Sequence, residues 1–359
     1  IAPRCGGFVD PGWLPTAAPR WILHVDLDQF LASVELLRHP ELAGLPVIVG
    51  GNGDPTEPRK VVTCASYEAR AYGVRAGMPL RTAARRCPEA TFLPSNPAAY
   101  NAASEEVVAL LRDLGYPVEV WGWDEAYLAV APGTPDDPIE VAEEIRKVIL
   151  SQTGLSCSIG ISDNKQRAKI ATGLAKPAGI YQLTDANWMA IMGDRTVEAL
   201  WGVGPKTTKR LAKLGINTVY QLAHTDSGLL MSTFGPRTAL WLLLAKGGGD
   251  TEVSAQAWVP RSRSHAVTFP RDLTCRSEME SAVTELAQRT LNEVVASSRT
   301  VTRVAVTVRT ATFYTRTKIR KLQAPSTDPD VITAAARHVL DLFELDRPVR
   351  LLGVRLELA

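Results

Sequence analysis

The chain has 359 residues, 45% of them apolar, with 40 basic against 38 acidic side chains and a formal net charge of +2. That is enough apolar sequence for two to four domains, and the near balance of charge excludes an overall positive field, so a nucleic-acid partner would have to be held by local basic patches. No apolar run reaches the roughly 18 residues of a membrane span, and the first twenty residues lack the basic-then-apolar order of a secretory leader. Cys5, Cys64, Cys87, Cys157 and Cys275 show no C-x-x-C spacing, so the expectation is a reducing cytoplasm with neither a zinc site nor a disulfide framework.

In chain order, residues 1–20 are rich in Gly and Pro and read as a loose extension. The apolar run Trp21-Ile22-Leu23-His24-Val25 predicts a buried strand closed by Asp26, and Asp26-Leu27-Asp28-Gln29-Phe30-Leu31-Ala32-Ser33-Val34-Glu35 leads from it into a helix. A second apolar run, 45–49, is followed by the Gly/Pro-rich stretch Gly50 to Pro58. Val118-Glu119-Val120-Trp121-Gly122-Trp123 then precedes the acid pair Asp124-Glu125, flanked in turn by Ala126-Tyr127-Leu128. Strand-end acids ordinarily face solvent or cap a helix, but acids between apolar flanks need cations or partners. Carboxylates at the ends of neighbouring strands can hold two divalent cations about 3.5 to 4 Å apart, and hard oxygen ligands favour Mg2+ with Mn2+ as a substitute.

Further on, the pattern predicts an amphipathic helix from Ile139 to Leu150, a strand over Ser156–Ile161, and a basic helix from Asn164 that Pro177 should end. Leu200-Trp201-Gly202-Val203-Gly204-Pro205-Lys206-Thr207-Thr208-Lys209-Arg210-Leu211 is a helix-hairpin-helix pattern, in which glycines let phosphate approach the backbone and the free N–H groups of a helix start bind it without reading bases. The stretch 246–262 has little periodicity and reads as a linker. Beyond it, helices at 275–298 and 329–344 and strands at 264–269, 301–312, 314–323 and 348–358 give β-α-β-β-α-β. Residues 299–321 carry seven cations and no acid: Arg299, Arg303, Arg309, Arg316, Lys318, Arg320 and Lys321. Val304, Val306 and Val308 alternate with Arg303 and Arg309, so a strand here should bury one face and offer a cationic one to DNA phosphates.

Two of these segments resemble the palm motifs of the Y-family DNA polymerases, D-x-D-x-F-[FY]-A-S-V-E and S-x-D-E, and the chain is identified as similar to the DinB type. Tyr67-Glu68-Ala69-Arg70 followed by Gly73-Val74-Arg75-Ala76-Gly77-Met78-Pro79 resembles the fingers motif, and Asn164 to Pro177 resembles the signature N-K-x-x-A-K-x-A…K-P. The resemblance implies an α/β and α+β multidomain right hand. Its β-α-β palm would be 21–37 and 95–187, its small fingers 38–94, its helix-hairpin-helix thumb 188–245, its linker 246–262 and its little finger 263–359.

It further implies a translesion DNA polymerase that adds nucleotides to a primer 3′-hydroxyl with two Mg2+. Asp26 and Asp124 would bridge the metals, Glu125 would complete the site, the Leu27 carbonyl would ligate the nucleotide-bound metal, and Asp28 would be structural. Phe30, Leu31, Cys64, Tyr67, Arg70 and Lys176 would meet the nucleotide, with Lys169 touching the residues that line the site or the template. Primer–template DNA would lie on Gly202, Gly204, Lys206, Thr207 and Lys209 and on Arg303, Arg309, Arg316, Lys318 and Arg320.

Three positions depart from the family pattern. Leu31 replaces the aromatic steric gate that excludes a 2′-hydroxyl, which implies use of rNTP as well as dNTP. Cys64 replaces a Thr and is a weaker hydrogen-bonding group. Gly122-Trp123 replaces Ser and a small aliphatic residue, with Trp123 expected to pack beside the acids. No clamp-binding peptide is evident before Ala359, and a monomer is expected. Palm-like acids also serve nucleotide cyclases and two-metal nucleases, and a non-catalytic DNA-binding scaffold would need the acids to be structural.

Overall fold

In the computed structural model, residues 21–130 and 137–359 are described, which leaves Cys5 and the predicted N-terminal extension outside. In chain order the elements are β1 (Trp21–Leu27), α1 (Phe30–Arg38), β2 (Val47–Val49), β3 (Cys64–Ala65), α2 (Tyr67–Ala71), α3 (Leu80–Arg86), β4 (Thr91–Leu93), α4 (Pro97–Asp113), β5 (Val118–Val120) and β6 (Glu125–Val130). They continue with α5 (Pro138–Thr153), β7 (Cys157–Ser162), α6 (Lys165–Ala175), β8 (Ile180–Gln182), α7 (Asp185–Met192), α8 (Pro205–Ala212), α9 (Val219–Ala223), α10 (Ser227–Phe234) and α11 (Arg237–Ala245). The last group is β9 (Ser262–Leu273), α12 (Arg276–Ala296), β10 (Val301–Thr310), β11 (Thr315–Ser326), α13 (Pro329–Asp341) and β12 (Val349–Leu358). Among the described residues no helix is long and apolar enough to cross a membrane.

The chain forms two compact units, one of residues 21–53, Thr63–Arg75 and Glu89–Gln256, the other of Asp54–Val62, Ala76–Pro88 and Ala257–Ala359. The first is built on a sheet of order β5-β6-β1-β7-β8. Its central strand β1 is buried because both edges pair, antiparallel to β6 and to β7, which is why its sequence is a continuous apolar run rather than an alternation. One face of the sheet packs on α4 and α5, with Leu23, Val25, Leu128, Ile145 and Ile159 in one apolar cluster.

On the other face lies α6. Asn164 caps its start by accepting from the Arg167 amide at 2.9 Å. It comes close to the sheet because β7 has no side chain at Gly160, where a Cβ would run into the Ala168 carbonyl and the Thr172 amide. Pro177 ends it: Lys176, held extended at φ −64° and ψ 141° by the ring that follows, turns out of the helix.

The smaller sheet β3-β2-β4 carries the Cys64–Arg70 segment, and Ser66 fixes α2 by accepting from the Ala69 amide. A cluster around Trp188, Leu211, Val219, Leu222 and Trp241 holds α7 to α11 together.

The stretch expected to act as a linker is in its first half laid against this unit. Asn164 donates to the Gly247 carbonyl at 3.0 Å, the Lys165 amide to the Asp250 carbonyl at 2.8 Å, and Val253 packs on Ile22, Tyr127 and Ala168. The glycines that suggested flexibility permit this approach, since a Cβ on Gly247 would collide with Arg167 and Trp188, and one on Gly249 with Asn164.

In the second unit the expected β-α-β-β-α-β order is present, folded into a sheet of order β11-β10-β12-β9 with α12 and α13 on one face. Arg59, at φ +64°, lies within this unit and pairs with Asp272 at 2.7 Å.

Because Gly160 sets the depth of α6, Gly160→Ala should cost about 2 kcal/mol and lower the melting temperature by roughly 5 °C. Thermal unfolding followed by circular dichroism measures this, and an unchanged midpoint would contradict the packing.

Candidate active site and nucleic-acid interface

The register of β1 on β6 puts Asp26 directly across from Glu125, and the Leu27 amide donates to the Asp124 carbonyl at 2.8 Å. A tight turn, closed by the Trp121 amide on the Glu125 carbonyl at 3.0 Å, brings Asp124 to the same end of the sheet. Three carboxylates from two distant segments therefore share one strand end.

Their charge is met by two lysines of the α6 segment. Lys176 bonds Asp26 and lies 3.4 Å from Asp28, while Lys169 bonds Glu125. His24, fully buried, sets Nδ1 2.8 Å from the Thr172 hydroxyl and Nε2 3.4 Å from Glu125. Burial holds the imidazole below its ordinary value, so it is neutral at pH 7. The His24 hydrogen bond, then Lys169, pulls the Glu125 carboxyl down to about 2. Asp124 behaves oppositely: desolvation, followed by the negative charges of Asp26 and Glu125, pushes it up.

Asp28 is enclosed. It accepts from Tyr67 Oη at 3.0 Å, Ser156 at 3.0 Å, Ser158 at 2.9 Å and the Ala178 amide at 2.9 Å. These donors, the Ala178 amide foremost, and the charge of Lys176 outweigh burial and keep its carboxyl below the ordinary value. With its oxygens so committed, Asp28 braces β1, α2 and the loop after Lys176.

Tyr67 is held by that bond, with the Arg70 guanidinium 5.0 Å from its ring and Arg70 Nε donating to the Ala65 carbonyl at 2.9 Å. Cys64 Sγ is 3.6 Å from the Gln29 carbonyl. Phe30 sits in the core, edge-on to Tyr100, and Leu31 beside it is 9% exposed. Trp123 stands 6.0 Å from the Tyr100 ring, beside the acids. Lys169 touches the acid Glu125 directly, one of the two places the sequence allowed it, and His24 is the neighbour of the acids that sequence reasoning missed.

The carboxylates of Asp26, Asp124 and Glu125 and the Leu27 carbonyl form a hard-oxygen donor set with excess negative charge, which suits a divalent cation. Among the described residues no group of three or more His, Cys, Asp or Glu is arranged to hold one while the lysines occupy Asp26 and Glu125.

In the thumb-like helices, Gly202 at φ +82° and Gly204, the cap of α8, have open space where a Cβ would be, and Lys206 and Lys209 are exposed on the first turns. Thr207 follows within the same turn, its amide donating to the Gly204 carbonyl at 2.9 Å. A groove of about 710 Å³ runs between this hairpin and α6, bordered by Lys169, Leu174, Arg195, Trp201, Gly202 and Gly204.

The register of the second sheet corrects the expectation of one cationic face there. Arg316, Lys318 and Arg320 lie opposite Val308, Val306 and Val304, hence on the helix-covered side, where Lys318 bonds the Leu342 carbonyl and lies 5.0 Å from the Phe343 ring. Arg303 and Arg309 share the open face with Lys321 and with Arg355 of β12. Cross-strand neighbours point the same way, so the strand-by-strand reading needed the pairing to sort them.

A carboxylate trio at the end of a mostly antiparallel sheet, a basic helix behind it and a glycine-turn helical hairpin beside it are the arrangement of a palm-type nucleotidyl transferase. Comparison with known proteins agrees. Residues 25–173 match the impB/mucB/samB family and residues 260–358 match that family's C-terminal domain. The chain is 36% identical over 344 residues to the DNA polymerase IV of Methanoculleus marisnigri, covering 96% of this chain and 95% of that one. It is 35% identical over 340 residues to DNA polymerase IV 2 of Agrobacterium fabrum, covering 94% of each.

Among solved structures, a Y-family DNA polymerase chimera of Dbh and Dpo4 superposes with a TM-score of 0.83 at 26% identity, covering 94% of this chain and 98% of that one. An insertion ternary complex of Dbh DNA polymerase superposes at 0.68 with 26% identity and the same coverage. The chain belongs to the impB/mucB/samB family and, within it, to the DinB-type Y-family DNA polymerases.

The burial of Asp124, together with the charges of Asp26 and Glu125, generates a stability prediction. Asp124→Asn should raise the melting temperature of the metal-free protein at pH 7 by about 2 °C. The gain should vanish as pH falls through the raised Asp124 value to below 3.8, where the acid is neutral folded and unfolded alike. Glu125 runs the other way, supplying stability above 4.5 that is lost as pH falls toward about 2. Melting curves from pH 3 to 7 on the wild type, Asp124→Asn and Glu125→Gln check both signs: the Gln variant should be less stable than wild type at pH 7 with the difference shrinking toward pH 3, and a destabilised Asn variant at pH 7 would contradict the first.

Proposed function

We propose that this protein is a template-directed DNA polymerase of the translesion type, extending a primer 3′-hydroxyl with nucleotides. The observation that carries the reading is the pairing of Asp26 with Glu125 beside Asp124, because the reaction needs side-chain oxygens from both segments at one point. Asp26, Asp124, Glu125 and the Leu27 carbonyl would hold the metals, with Mg2+ the expected pair and Mn2+ a substitute. When bound, such ions neutralise charge on the triphosphate and lower the pKa of the attacking hydroxyl.

The chain's own residues do the positioning. Tyr67, Arg70 and Lys176 line the approach to the carboxylates, and a phosphate suits the arginine fork and the lysine point charge alike. Lys176, paired with Asp26 in this state, would exchange that carboxylate for the triphosphate as cations take over the acid. His24 and Lys169 fix the Glu125 rotamer through their direct contacts with its carboxylate. The open face bearing Arg303, Arg309 and Lys321 and the glycine turn before α8 would hold the duplex through phosphates, giving affinity that falls with salt and does not depend on sequence.

Asp124→Ala should abolish primer extension, lowering the rate by at least about a thousandfold, while duplex binding stays within about twofold. Extension of a 5′-labelled primer with Mg2+ or Mn2+, alongside fluorescence anisotropy, tests this; extension that survives the substitution would refute the assignment.

Leu31 supports a finer reading. A branched aliphatic side chain, 9% exposed and packed with the core, would lack the flat face that an aromatic ring sets against a 2′-hydroxyl. The protein should therefore accept rNTP, and Leu31→Phe should cut rNTP incorporation at least about tenfold more than dNTP incorporation, which single-turnover kinetics would measure. Equal and strong exclusion of rNTP by both proteins would reject it.

A further inference from the structure

Four rings form an unbroken series from the thumb-like hairpin to a catalytic carboxylate. Trp201, immediately before Gly202, meets Trp121 edge to face with centroids 6.0 Å apart. Trp121 meets Tyr127 at 5.4 Å, and Tyr127 meets His24 at 4.6 Å. His24 then bonds Glu125. Both tryptophans are about half exposed, at 44% for Trp121 and 50% for Trp201, so neither is needed to fill a core.

Trp121 is also fixed from its own side. Its Nε1 donates to Glu119 at 2.8 Å, Glu119 pairs with Lys165 at 2.8 Å, and the Lys165 ammonium lies 5.9 Å from the Trp121 ring and 5.7 Å from the Tyr127 ring. The ring is thus a rigid stop on the turn that delivers Asp124, three residues ahead of it.

We propose that the Trp121–Trp201 contact is a latch that holds the phosphate-binding turn Gly202-Val203-Gly204 in register with Asp124 and Glu125, which makes Trp201 a positioning residue for the primer strand. The inference rests on the polymerase reading above. A primer phosphate seated on that turn sits at a fixed offset from the carboxylates only if the hairpin cannot slide along α6; Leu200 and Val203 anchor it to Ala171 of α6 through the apolar cluster, and the Trp121–Trp201 contact ties it to the turn that carries the acids. Aligning the attacking hydroxyl is worth more to the rate than to the affinity, since small displacements of a reacting atom act on the transition state.

The test is a double-mutant cycle with single-nucleotide incorporation measured at saturating nucleotide, together with duplex affinity and melting temperature. Trp121→Ala and Trp201→Ala should each lower the maximal rate about fivefold, within the range an edge-to-face aromatic pair can supply, with duplex affinity within about twofold and an unchanged melting temperature. The double variant should be no slower than the slower single one, and Trp201→Phe should recover most of the rate. A wild-type rate in Trp201→Ala, losses that multiply in the double variant, or a loss confined to duplex affinity would each overturn the latch while leaving wild-type extension intact. A wild-type protein that fails to extend a primer would instead remove the polymerase reading and the latch with it.

Discussion

Like charges crowded at one strand end are the constraint around which the first unit is organised. Asp26, Asp124 and Glu125 repel one another, and Asp124, desolvated first and then crowded by the other two charges, has its carboxyl raised. What makes the crowding tolerable is α6, which sends Lys169 to Glu125 and Lys176 to Asp26. The helix can do so only because Gly160 lets it sit against β7 and Pro177 turns Lys176 back toward β1. Asp28, by contrast, has spent its oxygens on four protein donors and so steadies the frame rather than taking part in exchange.

Much of this was legible in the amino-acid order. The apolar run ending in Asp26 and the hairpin ending in Asp124-Glu125 announce strands with acids at their tips, and Pro177 announces the end of a helix. The β-α-β-β-α-β order of the second unit follows from periodicity alone, with boundaries shifted by a few residues, as for β9, which runs over Ser262–Leu273.

What could not be read is whatever depends on pairing. No local pattern says that Arg320 shares a face with Val304 while Arg303 lies on the other side, because that is decided by the β10–β11 register. Nor does composition show that Gly247 and Gly249 serve close packing rather than freedom, since glycine suits both. His24 escaped notice for a similar reason. Within a buried strand it looks like a satisfied core residue, and its role appears only when α6 brings Thr172 and Lys169 to it.

The account turns on the lysines being counterions that a metal pair replaces. Anomalous diffraction at the manganese edge, from crystals of the protein with primer–template, a non-hydrolysable nucleotide and Mn2+, tests this most directly. Peaks bounded by Asp26, Asp124 and Glu125, with Lys176 withdrawn from Asp26 to the nucleotide phosphates, are the predicted result. Manganese bound away from these carboxylates, or Lys176 still paired with Asp26 in that complex, would contradict it.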